Sequence, residues 1–167
     1  MSAGNENIEQ IRVSVKDYCG YKQSDDRLNS DKKLRIYWIK QLKSLGLQLQ
    51  NIPIISNKED QQMLEKLQGN TRRKLTTILD SLKYNIQPQA RFYSQKSLTE
   101  RVLTKLYMLE LSMILGLKNL QEEIDLLHKE QNIDDYQEHF ILISNYIDSF
   151  NQNLFEREAL IIDDPLF

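Results

Sequence analysis

Apolar residues recur in this chain at intervals of three and four, and those intervals divide it into about five helices. Ile8, Ile11, Val15 and Tyr18 predict a short amphipathic helix over about 6–19. Residues 20–30, GYKQSDDRLNS, are polar and rich in turn formers, with Asn29 or Ser30 as the expected N-cap of the next helix. That helix is expected over about 31–50, with Leu34, Trp38, Leu42, Leu45 and Leu49 on one stripe and Ile52 continuing it. Pro53 ends it, because proline disfavours the α region for the residue before it. Asn57 caps a third helix, with Glu59 and Asp60 in its first turn, where the helix dipole favours anions. Its stripe runs Leu64, Leu67, Thr71, Leu75, Ile78, Leu82 and Ile86. Gly69-Asn70 is a C-terminal signal in mid-stripe, yet the continuous stripe predicts one helix, with a kink there as an option, closed by Gln87-Pro88-Gln89.

The last two helices carry the strongest pattern. Ser97-Leu98-Thr99-Glu100 has the spacing of a capping box, and Val102, Leu106, Leu109, Met113, Leu117, Leu120, Ile124 and Leu127 follow it. The two successive intervals of four in that run are a stutter. Between 106 and 117 only Glu110, Ser112 and Gly116 are not apolar, so this stretch has to be covered on several sides. Ile133, Tyr136, Phe140, Ile143, Ile147, Phe150, Leu154, Arg157 and Ile161 then keep a strict 3,4 alternation, with Arg157 the one charged member. A seven-residue repeat of this length suits coiled-coil-like packing. The short junction at 128–135 favours an antiparallel hairpin of the two helices over an extended coiled coil with a second chain. The expected fold is therefore all-α: N-terminal basic helices followed by a long C-terminal helical hairpin. The 167 residues form one domain, with a possible division into 1–87 and 88–167.

Charge adds a second pattern to the first. Residues 31–118 carry sixteen Lys/Arg and seven Asp/Glu, whereas 119–167 carry two and twelve, although the whole chain is only at -2. A basic body and an acidic end predict either docking of one on the other or two partners of opposite charge. In a hairpin, Arg101 and Lys105 are expected to pair with Glu156 and Glu158. Cys19 is the only cysteine, the N-terminus is polar, and no window holds 18 apolar residues. The expected setting is a reducing one, nuclear or cytoplasmic, with no membrane partner.

Residues that could carry chemistry are few. His128 and His139 lack a third close ligand and are expected at the surface near helix ends. No phosphate-cradling or nucleophile-elbow motif occurs. Glu122, Glu123, Asp125, Asp134 and Asp135 lack the ligand spacing of a calcium loop. Cys19 lies near Lys16 and Lys22 in sequence but reads as an ordinary side chain at a helix end. No catalytic residue, cofactor or metal is expected, and the chain reads as a non-catalytic helical subunit, scaffold or adaptor of a larger assembly.

Its partners would be helical proteins or a second copy, through Leu106, Leu109, Met113, Leu117, Phe140, Ile147, Phe150 and Leu154. The alternative is a nucleic-acid-binding module, or a contact with an acidic partner, through Lys32, Lys33, Arg35, Lys40, Lys43, Arg72, Arg73 and Lys74. The terminal Asp163-Asp164-Pro165-Leu166-Phe167 could dock in a groove or fold back on the helices.

Overall fold

Long apolar stripes with few glycines and prolines fold here into helices that bury the stripes against one another. The computed structural model describes residues 3–52, 57–84, 91–94, 97–130 and 132–162. Among the described residues there are six helices and no strand: α1 (Ala3–Ser14), α2 (Ser24–Gln50), α3 (Lys58–Tyr84), α4 (Arg91–Ser94), α5 (Glu100–Leu127) and α6 (Ile133–Ile162). Pro53, Pro88, Ile86 and the 163–167 tail, on which the sequence placed two breaks, a stripe position and a docking peptide, lie outside the described residues.

The four long helices form a bundle in which α2 neighbours α3, α3 neighbours α6, α6 neighbours α5, and α5 neighbours α2. Directions follow from the cross-links. Gln68 donates to the Leu49 carbonyl and Arg35 to the Leu82 carbonyl, so α2 and α3 are antiparallel. Arg157 meets Glu110 and His139 meets Glu123, so α5 and α6 are antiparallel too, as the short junction requires. Tyr21 N–H donates to the Tyr107 hydroxyl at the start of α2 and α5, and Gln48 pairs with Gln121 near their ends, so these two run parallel. The starts of α2 and α5 and the ends of α3 and α6 therefore share one end of the bundle. There α4 packs against α2 and α6, while α1 lies along α5.

The buried set confirms the apolar stripes. From Tyr136 to Ile161, every seam position of α6 is buried. Trp38 meets Phe150 across the bundle, edge to face, with ring centroids 5.8 Å apart. The α3 helix is continuous through Gly69, where an added Cβ would touch nothing within 4 Å.

Several local expectations are corrected. The first helix ends at Ser14 and not at 19, and the chain turns through Asp17 and Gly20, both at positive φ. The second helix starts at Ser24, so Asn29 and Ser30 lie inside it and do not cap it. Asp25 and Asp26 fill its first turn instead, where the dipole favours them. Ser30 Oγ accepts from the Cys19 backbone N–H and so anchors the turn. The N-cap of α5 is Thr99, whose hydroxyl accepts from Val102 N–H at 3.3 Å, and Ser97 takes no part in it. The pairs expected for Arg101 and Lys105 do not form; Glu158 faces inward to Arg35 and Arg157.

Gly20 is demanded by the turn in which it stands. It sits at φ +78, and a Cβ there would stand 2.7 Å from the Tyr107 hydroxyl oxygen. That hydroxyl accepts from Tyr21 N–H at 2.8 Å. Gly20→Ala is expected to cost about 1–2 kcal/mol in backbone conformation alone, with a further loss of about 1 kcal/mol as the Tyr107 bond is displaced. A lower urea midpoint at unchanged slope checks it.

Candidate functional site

Charged side chains group in three places: inside the bundle around Arg157, at its opposite end around His139, and on the outer face of α2. The inner group is built on Arg157, the single charge of the α6 seam, which is fully buried. Its guanidinium donates to Glu110 Oε1 at 2.7 Å, Asp31 Oδ1 at 2.5 Å, the Tyr21 hydroxyl at 2.8 Å and Glu158 Oε1 at 3.1 Å. It also stands 5.3 Å from the centroid of the Trp38 ring. Arg35 extends the group by donating to Asp31, Glu158 and the Leu82 carbonyl. Tyr18 and Tyr21 donate their hydroxyl protons to Glu110. Arg27 donates to the carbonyls of Tyr21 and Phe92, which ties α4 to the same end.

Electrostatics follow from this burial. Desolvation raises Glu110 above the usual carboxylate range, opposed by Arg157 and by the hydrogen bonds from Tyr18 and Tyr21. Burial likewise pushes the Tyr107 phenol up to about 12. Arg157 rises well above its ordinary value because Tyr21, Asp31, Glu110 and Glu158 together outweigh its desolvation. At the margin of the group, Trp38 Nε1, Tyr93 Oη and Glu158 Oε2 are buried without a hydrogen-bond partner among the described residues. The network joins α2, α5 and α6 with the turn before α2. Its central groups, Asp31, Glu110 and Arg157, are fully buried, so their chemistry is directed at each other and holds the helices in register.

His139 forms a smaller cluster at the opposite end. It is not a freely exposed histidine: its side chain is 17% accessible and lies between Glu123 and Glu130. Burial by itself would lower its pKa, but the hydrogen bonds and charges of the two glutamates outweigh it and the net direction is upward. A pKa raised on folding contributes stability that is full below the unfolded value of about 6.5 and is lost as pH rises through the folded value. His139→Gln is expected to flatten this dependence. Urea midpoints at pH 6 and pH 8.5 should fall further in the wild type than in the variant.

The sequence-derived contact residues divide clearly. Of the eight apolar ones, Leu106, Met113, Leu117, Phe140, Ile147, Phe150 and Leu154 are buried in the chain's own core, and Leu109 is half-buried. Of the eight basic ones, Arg35 is internal and held by the network. Lys74 bonds Asp148 and Ser144, and Lys33 donates to the Asp17 carbonyl. Arg73 donates to Asn70 on its own helix. Lys32, Lys40, Lys43 and Arg72 are exposed and make no ion pair among the described residues. In sequence Arg35 is indistinguishable from a surface cation, because a buried cation and an exposed one look alike in a lysine-rich helix.

Outside the bundle, α2 presents a ridge that the basic count alone does not reveal. Lys32, Ile36, Lys40, Lys43 and Leu47 follow at intervals of 4, 4, 3 and 4 on the face opposite Trp38 and Leu42. Ile36 is 66% and Leu47 61% exposed. Two large apolar side chains are thus set among three lysines that have no ion pair among the described residues. Cys19 is an exposed free thiol. Among the described residues no group of three or more His, Cys, Asp or Glu could hold a metal ion, and no helix is long and apolar enough to cross a membrane. No known protein family, no curated protein and no solved structure matches this chain.

Proposed function

We propose that this chain is a helical adaptor or assembly subunit that binds a partner protein through the outer ridge of α2. The observation that carries the reading is the exposure of Ile36 and Leu47 among Lys32, Lys40 and Lys43. Apolar anchors rimmed by uncompensated charge are the composition of a protein-binding surface, where the anchors supply affinity and the charges supply orientation. Eleven residues separate the anchors, a rise of about 16 Å. The matching partner is an acidic amphipathic helix with apolar residues three turns apart and carboxylates between them. Phosphate recognition would use the same lysines but gains nothing from an exposed isoleucine and leucine between them, which favours the protein partner.

The test compares co-purification from the native source for the wild type and for Ile36→Asp with Leu47→Asp. A stoichiometric protein bound to the wild type and lost from the variant, at unchanged helicity and melting, supports the reading. Affinity for that protein is expected to fall at least tenfold in either single variant, the scale of an interface anchor. A partner retained by the double variant contradicts the assignment. Nuclease-sensitive retention that follows the lysines alone would transfer it to nucleic acid.

A further inference from the structure

We propose that His139 is a proton-operated tether at the closed end of the α5–α6 hairpin: protonated, it ties Glu130 to α6, and neutral, it keeps Glu123 and releases Glu130. Both ring nitrogens face a carboxylate, Nδ1 toward Glu123 Oε1 and Nε2 toward Glu130 Oε1 at 3.4 Å. An ionised carboxylate only accepts, so each contact is a hydrogen bond only while that nitrogen carries a proton. The imidazolium ion satisfies both partners. Neutral imidazole has one N–H, and the lone pair on its other nitrogen is then set against a carboxylate.

Unequal surroundings decide which partner is lost. The Nδ1 contact is the closer of the two, and the Glu123 side chain is 12% accessible against 33% for Glu130. A carboxylate deprived of its donor turns to water more readily where it is already part-exposed. The proton therefore leaves from Nε2, and Glu130 is the group set free. Two bonds tie Glu130 to α6: its carboxylate to His139, and its carbonyl, which accepts from the Tyr136 hydroxyl at 2.9 Å. Behind them stand the N–H groups of Lys129 and Glu130, which donate to the Leu126 and Leu127 carbonyls at 3.0 and 3.2 Å. Losing the His139 tie leaves this end of α5 on the Tyr136 bond and one turn of backbone bonds, and its motion within the folded state grows. This local release is distinct from the pH dependence of global stability, which requires no such motion.

The charges around the ring agree with a two-carboxylate device. Glu123 faces it from α5 and Glu130 from the connection, and these two raise its pKa, so the release falls above the ordinary histidine value of about 6.5. Glu122 and Asp125 on α5, His128 and Lys129 beside Glu130, and Asp134, Asp135 and Glu138 on α6 make no ion pair with the ring among the described residues. From α3, Lys74 reaches α6 at Ser144 and Asp148, on the flank opposite His139. The short α4 packs on α6 at the Arg157 end.

Nuclear magnetic resonance of the full chain tests the proposal, with pH raised from about 6 until the ring has titrated. Ring nitrogen shifts read which nitrogen holds a proton, and backbone carbon relaxation reads motion in the folded state. Nε2 is expected to lose its proton while Nδ1 keeps its own. Order at Lys129 and Glu130 should fall with the same midpoint, while order at Leu106 and Tyr107, at the far end of α5, stays unchanged. In Glu130→Gln the partner is a neutral amide that can accept from Nε2–H or donate to the bare nitrogen. The tie then survives deprotonation, so the midpoint of the ring moves to lower pH and order at Lys129 no longer follows it. A neutral ring protonated on Nε2, order at Lys129 and Glu130 that stays constant through the titration, or a pH response retained in Glu130→Gln would each overturn the proposal. None of these outcomes depends on the α2 ridge.

Discussion

Arg157→Met destabilises the chain by about 3–5 kcal/mol, the cost of leaving buried carboxylates without their cation. Methionine fills most of the space but donates nothing to Glu110, Asp31 or the Tyr21 hydroxyl, and it removes the charge over Trp38. Glu110 then keeps only the two tyrosine hydroxyls, and Asp31 keeps Arg35. The loss is conditional on ionised partners. With Arg157 gone, burial raises Glu110 further, so the deficit is largest near neutral pH and shrinks as pH falls toward the raised carboxyl value. Adding Glu110→Gln to Arg157→Met should recover part of the loss, because a neutral amide tolerates burial better than a lone carboxylate. Urea unfolding of the four proteins in that cycle measures the coupling directly.

Trp38→Ala is the second large effect, at about 3–5 kcal/mol, the usual range for removing a buried aromatic. The ring is fully buried and meets Phe150 edge to face while supporting the Arg157 guanidinium. Helices α2 and α6 stand on a diagonal of the bundle, so their connection runs through side chains such as these. Alanine removes the ring from both contacts at once. Trp38→Phe should cost distinctly less, since phenylalanine retains an aromatic face and the indole N–H it deletes has no partner. Unfolding followed by circular dichroism ranks the two variants, and equal losses would argue that the contribution lies in the part of the indole that phenylalanine lacks.

Much of this architecture was legible in the spacing of leucines and isoleucines. The α3, α5 and α6 stripes fixed their own inward faces, and the short junction fixed the hairpin. What escaped was polar. Arg27, Ser30 and Asp31 are buried at the start of α2, so the hydrophobic period that marks a helix is silent there and the segment read as a turn. The short α4 has four residues, too few for any periodicity. Ser97 and Glu100 have the spacing of a capping box, yet the cap is Thr99, which that spacing does not mark out.

The inner network nevertheless left a trace. Glu110 is the only charge in an apolar dozen, and Arg157 the only charge in the α6 seam. Folding the hairpin about its junction brings two such exceptions of opposite sign to nearly the same level. Asp31, Arg35 and the two tyrosines gave no comparable signal, because their neighbours in sequence are charged or polar as well. The α2 ridge was half visible: its lysines were counted, but Ile36 and Leu47 stand out only when their exposure is known.

The buried network that ties α2 to α5 and α6 predicts that the N-terminal helices and the C-terminal hairpin unfold as one cooperative unit, with the seams of α5 and α6 used internally and binding left to the outer faces. Trp38, the only tryptophan, reports the junction of the two parts, while circular dichroism reports every helix. Equilibrium urea unfolding followed by both signals tests the claim. One unit predicts coincident transitions with the same midpoint and slope. A tryptophan signal that changes first, with the helicity of 88–167 persisting to higher urea, would contradict it, because the hairpin would then be a separate body able to offer its seam to another chain.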